Sequence, residues 1–150
     1  MRADALEIEP GAVRPLRTTL VFRPMPYEVD FTGILSNTVA LCWMEALRVT
    51  LMDTHFSSFA MDDARNLSVI TQAHVHYLQP IRYSDKVHGQ VWIERVQGSR
   101  FVVAYEFAIQ ESERVAVRAT QTGAFLESKS FQPVPVPAEL VAAVRAHGIG

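Results

Sequence analysis

A chain of 150 residues, 49% hydrophobic and 20% charged, is sized for one compact domain; such a domain buries on the order of 70% of its unfolded surface, enough for a full core. The formal net charge of -2, with the basic residues scattered, argues against generic nucleic-acid binding, which draws on a basic excess or stripe. A single cysteine excludes a disulfide frame, and no repeat or low-complexity tract appears.

The first residues, with Asp4, Glu7 and Glu9, do not read as a secretory signal, so the expected compartment is the cytoplasm. Leu16 to Phe22 reads as a first strand. Asp30-Phe31-Thr32-Gly33 follows, an acid leading into a glycine turn, and Asn37 and Thr38 are candidate N-caps. From Val39 to Met52 the chain is apolar except for Glu45 and Arg48, three apart on one stripe, and the residues are mostly good helix formers. The spacing predicts a helix to about Met52 or Asp53. With apolar residues on nearly every side it is expected to be wrapped by the rest of the chain. It is too short and too interrupted for a bilayer span, which needs roughly 20 apolar residues. Cys42, inside this run, reads as a small core residue rather than a nucleophile.

Four segments rich in Val, Ile, Tyr, Phe, Trp and Thr follow: Leu67 to Tyr83, Lys86 to Gln97, Arg100 to Gln110 and Arg114 to Leu126. Alternation marks them as strands. Phe101, Val103, Tyr105, Phe107 and Ile109 share one face, opposite Glu106 and Gln110, while Val87, Val91 and Ile93 oppose His88, Gln90, Trp92 and Glu94. The connections Ser84-Asp85, Gly98-Ser99 and Glu111 to Glu113 are short, which predicts antiparallel neighbours. Pro133 to Pro137 is expected to be extended, and Ala138 to His147 a short helix stopped by Gly148, a cover without chemistry. The fold class is α+β: a single domain over residues 1–150, with a long central helix wrapped by a curved antiparallel sheet.

An acid just ahead of a helix start places a carboxylate beside unpaired amides and the positive end of the helix dipole, which suits acyl chemistry. On the residues alone, Asp30 serves equally well as a turn cap. Glu45 and Arg48 read as a structural pair or a contact with a partner subunit, although a carboxylate in an apolar helix must be paired, hydrogen-bonded or protonated. His74 and His76 project from one face of a strand, and Asp85 or His88 would be needed to complete a metal site; the compact zinc spacing is absent, so no metal is expected.

Taken together, Asp30, Gly33, Asn37, Glu45 and Arg48, at the spacing Asp-x-x-Gly-x-x-x-Asn followed by Glu and Arg on the helix, resemble the hotdog-fold thioesterases of the 4-hydroxybenzoyl-CoA thioesterase and acyl-CoA thioesterase type. The block from Tyr77 to Asp85 resembles that family's tyrosine, proline and aspartate pattern. The resemblance covers Leu16 to Leu126. It implies hydrolysis of an acyl-CoA or acyl-carrier-protein thioester, with Asp30 as nucleophile or general base, the backbone N–H near Asn37 as oxyanion donor, and Gly33 and Glu45 supporting them. Ser36, Thr38, Arg82 and Arg100 are the implied substrate-binding residues; for the phosphates of coenzyme A, Lys86, Arg95 and Arg118 are further candidates. No cofactor and no metal are implied. Relatives carry a histidine just after the glycine or at the position of Asn37, where this chain has Ile34 and Asn37, and small Ser36 and Ala40 imply a wider acyl tunnel. An exposed sheet edge, and the family's pocket between subunits, lead to an expected homodimer or homotetramer in which Asp30 of one subunit faces the Val69 to Tyr77 region of the other. The competing readings are a non-catalytic acyl-binding or regulatory module, which the missing histidine would suit, and a hydratase or dehydratase, which would need that histidine.

Overall fold

The computed structural model describes residues 13–56 and 66–147. The acidic residues Asp4, Glu7 and Glu9 and the helix-stopping Gly148 lie outside them. The elements are β1 (Thr18–Phe22), a short 3-10 turn (Pro26–Glu28), α1 (Asn37–His55), β2 (Asn66–Tyr77), β3 (Val87–Gln97), β4 (Arg100–Ile109), β5 (Val115–Glu127) and α2 (Ala138–Arg145). All five strands form one antiparallel sheet in the order β1-β3-β4-β5-β2. A long helix lies against it, as the α+β expectation requires.

The sequence spacing explains how α1 seats itself. Ala40, Trp43, Met44, Leu47 and Leu51, three and four apart, form one buried stripe. That stripe packs chiefly on β3 and β1. Burying each Leu or Met contributes about 1.5–3 kcal/mol. Gly89 on β3 allows the approach: a Cβ there would stand 2.7 Å from the Phe22 ring and 3.1 Å from Leu47 Cδ1. On the sheet side, Phe101, Val103, Tyr105 and Phe107 of β4 point inward at alternate positions and are buried. Register shifts at Ile70/Gln72, Ile93/Arg95 and Phe107/Ala108 bend the sheet around this core. On the opposite face Trp92 is buried under Arg14, whose guanidinium lies 4.2 Å from the ring centroid.

Three expectations are corrected. First, the sheet curves around α1 as expected but covers one side of it only: Leu41, Cys42, Glu45, Ala46 and Val49 are exposed. Cys42 is therefore a surface thiol rather than a core residue. Second, the strand expected to reach Tyr83 stops at Tyr77. There the N–H groups of Leu78 and Gln79 both turn onto the carbonyl of Ala116 (2.8 and 3.1 Å), and Pro80 has no N–H with which to continue a ladder. Third, Ser84-Asp85 does not join neighbouring strands. β2 pairs with β5 at the far edge, and residues Leu78 to Lys86 carry the chain across to β3. The other two short connections do link neighbours, β3 to β4 and β4 to β5. Pro133 to Pro137 is tied across the sheet end by Val134 N–H to Phe125 O and Val136 N–H to Gly98 O, each 2.9 Å, before α2 buries Leu140 and Val144. Among the described residues no helix is long and apolar enough to cross a membrane.

Candidate active site

Residues Glu28 to Asp30 and Ile34 to Ser36 form a short antiparallel ladder leading into α1. Ser36 N–H donates to Glu28 O (2.8 Å), Asp30 N–H to Ile34 O (2.9 Å), and Val29 lies opposite Leu35. The turn between them is closed by Gly33 N–H on Asp30 O (3.0 Å), with Gly33 at φ 79°, a left-handed conformation that glycine adopts without strain. The returning limb is anchored to the chain after β2: Leu35 N–H donates to Ile81 O (2.7 Å) and Ile34 bridges Arg82.

Asp30 stands at the tip of this ladder. Its Oδ1 accepts the hydroxyl of Thr32, the N–H of Thr32 (2.8 Å) and, more weakly, the N–H of Ile34 (3.4 Å). These donors, the Thr32 hydroxyl foremost and then its amide, hold the carboxyl below its ordinary 3.8. The group is fully exposed and ionised at neutral pH.

Ser36 has the backbone of a helix N-cap (φ -61°, ψ 137°), yet its side chain caps nothing; its Oγ lies 3.2 Å from Thr38 Oγ1. Val39 N–H takes the Ser36 carbonyl (3.0 Å). The amides of Asn37 and Thr38 are left with no hydrogen-bond partner among the described residues. Two free N–H groups at the positive end of a helix of 19 residues are ready donors for an oxyanion. A cavity of about 230 Å³ opens beside them, lined by Ile34 to Asn37 and Ala40 on one side, Tyr77 to Ile81 on the other, and Val117 of β5. Tyr77 spans its edge, the phenol donating to Asn37 O at 2.7 Å, and burial pushes that phenol's pKa up.

Of the residues expected at the site, Gly33, Ser36, Asn37 and Thr38 come together around the helix start. Asp30 lies two residue pairs along the ladder from Ser36, ~7 Å by strand rise, and does not itself line the cavity. Arg82 flanks the cavity through its bridge to Ile34, its N–H held by Asp85 Oδ2 (2.8 Å). Glu45 and Arg100 are not brought to the cavity by this chain. Glu45 is exposed on α1, ~12 Å along the axis from Asn37. Arg100 starts β4 at ~23 Å by strand rise from Phe107, the β4 partner of cavity-lining Val117. Arg118 faces the other side of the sheet, where its Nε lies 3.6 Å from Glu106. His74 and His76 have no companion ligands: among the described residues no group of three or more His, Cys, Asp or Glu is assembled.

Two features were not anticipated. Tyr77 entered the sequence reading only as part of a pattern, with no partner named. The second is a polar trio between α1 and the sheet: Arg48 Nη1 donates to Gln121 Oε1 (3.0 Å), which also accepts the Tyr105 hydroxyl (2.6 Å). The signal for it was Gln121, a polar residue at an inward position of β5, where it is buried.

Residues 24–144 match the family model described as the thioesterase-like superfamily. The chain belongs to that family. It is a thioester hydrolase with the hotdog fold of its structural neighbours. A 1,4-dihydroxy-2-naphthoyl-CoA thioesterase from Synechocystis superposes with a TM-score of 0.79 at 15% identity, covering 89% of this chain and 99% of that one. A predicted thioesterase from Bacillus stearothermophilus gives 0.77 at 22% identity, over 87% and 96% of the two chains. A DHNA-CoA thioesterase from Staphylococcus aureus gives 0.76 at 21%, over 89% and 96%. No curated protein matches the sequence.

Proposed function

We propose that this hydrolase acts on acyl-CoA, or the matching acyl-carrier-protein thioester, with Asp30 as nucleophile or general base and the amides at Asn37 and Thr38 holding the oxyanion. One observation carries the reading: a helix start with two unpartnered amides opens onto a cavity a short ladder away from an ionised, pre-oriented carboxylate. In the general-base route Asp30 takes a proton from water as the water oxygen bonds to the thioester carbon. The carbonyl electrons move onto oxygen, where the two amides receive them; collapse then breaks the C–S bond, and the departing thiolate takes the proton back from Asp30. In the nucleophilic route an Asp30 oxygen bonds to that carbon, the thiolate leaves, and water opens the anhydride. Single-turnover hydrolysis in oxygen-18 water separates them, since only the anhydride route can place label in the Asp30 carboxylate.

Arg82 at the cavity edge is the proposed contact for the phosphates of the carrier, with Ser36 and Thr38 meeting the thioester end. Arg100, Glu45 and an exposed Asp30 make sense together if the site is completed by a second copy. β2 is an edge strand of 12 residues with no Lys or Pro to discourage pairing, and it carries an exposed Tyr77. A homodimer or homotetramer built on this edge, working in the cytoplasm, is the assembly we propose. A stable, fully active monomer by light scattering would overturn it.

The functional test is a panel of acyl-CoAs of rising chain length followed with a thiol-reactive dye, run beside Asp30→Asn. Turnover in the native protein that is lost in the variant, with binding kept, is the expected result; binding without turnover in the native protein would mean an acyl-binding module instead.

A further inference from the structure

The cavity does not end the open side of the molecule. Asn37 and Arg48 are eleven residues apart, three turns of α1, so they share one stripe with Leu41 and Met44 between, ~16 Å from end to end. On β5 the inward positions run from Val117, which lines the cavity, through small Ala119 to Gln121, ~13 Å by strand rise. The far wall is the inner face of β2, where Tyr77, Val75 and Ala73 stand opposite Val117, Ala119 and Gln121. These facing positions mark a path along α1 and β5 from the cavity at the free amides to Arg48.

At the far end of this path stands Arg48. Arg48 is half-buried, donates to Gln121 Oε1 and also meets the Tyr105 hydroxyl; among the described residues no carboxylate is within ion-pair distance of it, Glu45 standing exposed three residues back on α1. Tyr105, fully buried, and Gln121 fix the guanidinium from the sheet side, and no further hydrogen bond of its fork is made among the described residues. No carboxylate closes the guanidinium fork directly, and such a fork suits a carboxylate from a ligand.

We propose that Arg48, steadied by Gln121 and Tyr105, is a specificity-determining residue that receives the far end of the acyl group, and that the preferred acyl chain is of medium length and carries an oxygen anion there, a terminal carboxylate being the best match. This rests on the thioesterase reading of the cavity. A hydroxyl-ended chain is recognised more weakly, as a neutral acceptor; a plain alkyl end leaves Arg48 unpaired.

The test compares octanoyl-CoA with its ω-hydroxy and ω-carboxy counterparts in native protein, Arg48→Met and Arg48→Lys. The native enzyme is expected to favour the ω-carboxy substrate over octanoyl-CoA by about tenfold or more in kcat/KM, the scale set by hydrogen bonds to charged groups. That ratio should fall toward unity in Arg48→Met and take an intermediate value in Arg48→Lys, which keeps the charge without the fork. Binding of the free acids, octanedioate against octanoate, is measured by calorimetry on the same three proteins and does not depend on turnover. If no thioester is hydrolysed but octanedioate binds in an Arg48-dependent way, the hydrolytic reading fails and the anion site stands. Equal handling of all three chain ends by native protein, or a preference unchanged in both Arg48 variants, overturns the proposal.

Discussion

The two flanks of α1 are built on opposite plans. Toward β1 and β3 the helix meets an aromatic cluster in which Phe22 stacks on Trp43 (centroids 4.7 Å apart) and both lie within 6.0 Å of Phe107. The side chains of that cluster are aromatic, and Met44 and Leu47 beside them are fully buried. Toward β2 the helix presents the unpartnered amides, Tyr77, the cavity and the Arg48–Gln121–Tyr105 trio, with Leu41 41% exposed against 0% for Leu47. The same helix therefore packs its core on one side, and on the other carries the features on which the proposed chemistry rests. Stability and turnover should accordingly separate by flank.

The sharpest way to break that division is Asp30→Asn. The amide keeps an oxygen for Thr32 and Ile34, so the turn survives, while kcat is expected to fall by about 10²–10⁴, the usual contribution of a positioned acid or base. A loss of less than tenfold in steady-state kinetics, with the variant still folded by circular dichroism, would remove Asp30 from the reaction. Next comes the packed flank. Leu47→Ala should cost about 2–5 kcal/mol in urea unfolding, whereas Leu41→Ala should stay within about 0.5 kcal/mol; similar costs at the two positions would erase the distinction. Tyr77→Phe removes one hydrogen bond to the helix start and should lower stability by about 1 kcal/mol. If Tyr77 positions the free amides, its loss should appear in kcat more than in KM; a change in KM alone would make it a wall and nothing more.

The smallest effect concerns pH. The folded-state pKa of Asp30 lies below 3.8, so any stability it lends is present above that value and lost as pH falls through the lower folded one. With the side chain fully exposed, that contribution is minor. The acid limb of kcat/KM should follow the same carboxylate. Thr32→Val deletes the foremost hydrogen bond and should move that limb to higher pH; an unmoved limb would assign it to another group.

Much of the fold was legible because its signals are local. α1 was legible from composition, and β4 from strict alternation at Phe101, Val103, Tyr105 and Phe107. The turn before α1 was legible from Asp30 and Gly33. What escaped depends on contacts between distant segments. No local rule tells that β2 crosses to pair with β5, since a strand looks the same wherever it docks; Pro80 inside an apparent strand was the one visible warning. Nor could periodicity show that the sheet leaves one side of α1 uncovered, so Cys42 was misplaced. Of the proposed site, the helix start and the acid before it were visible in the sequence, whereas Tyr77 on Asn37 and Gln121 between Arg48 and Tyr105 join residues 40, 73 and 16 positions apart.

The hydroxyl of Ser36, turned to Thr38 Oγ1 rather than to a backbone amide, carries an implication for anyone who would make this protein hardier. A side chain that satisfied the first amides of α1 is among the commonest routes to a more heat-tolerant helix, worth about 0.5–2 kcal/mol. Under the proposed mechanism it would occupy the Thr38 N–H, one of the two donors offered to the substrate's oxygen. Endurance and turnover would thus pull position 36 in opposite directions, a hardier helix start being expected to turn over more slowly.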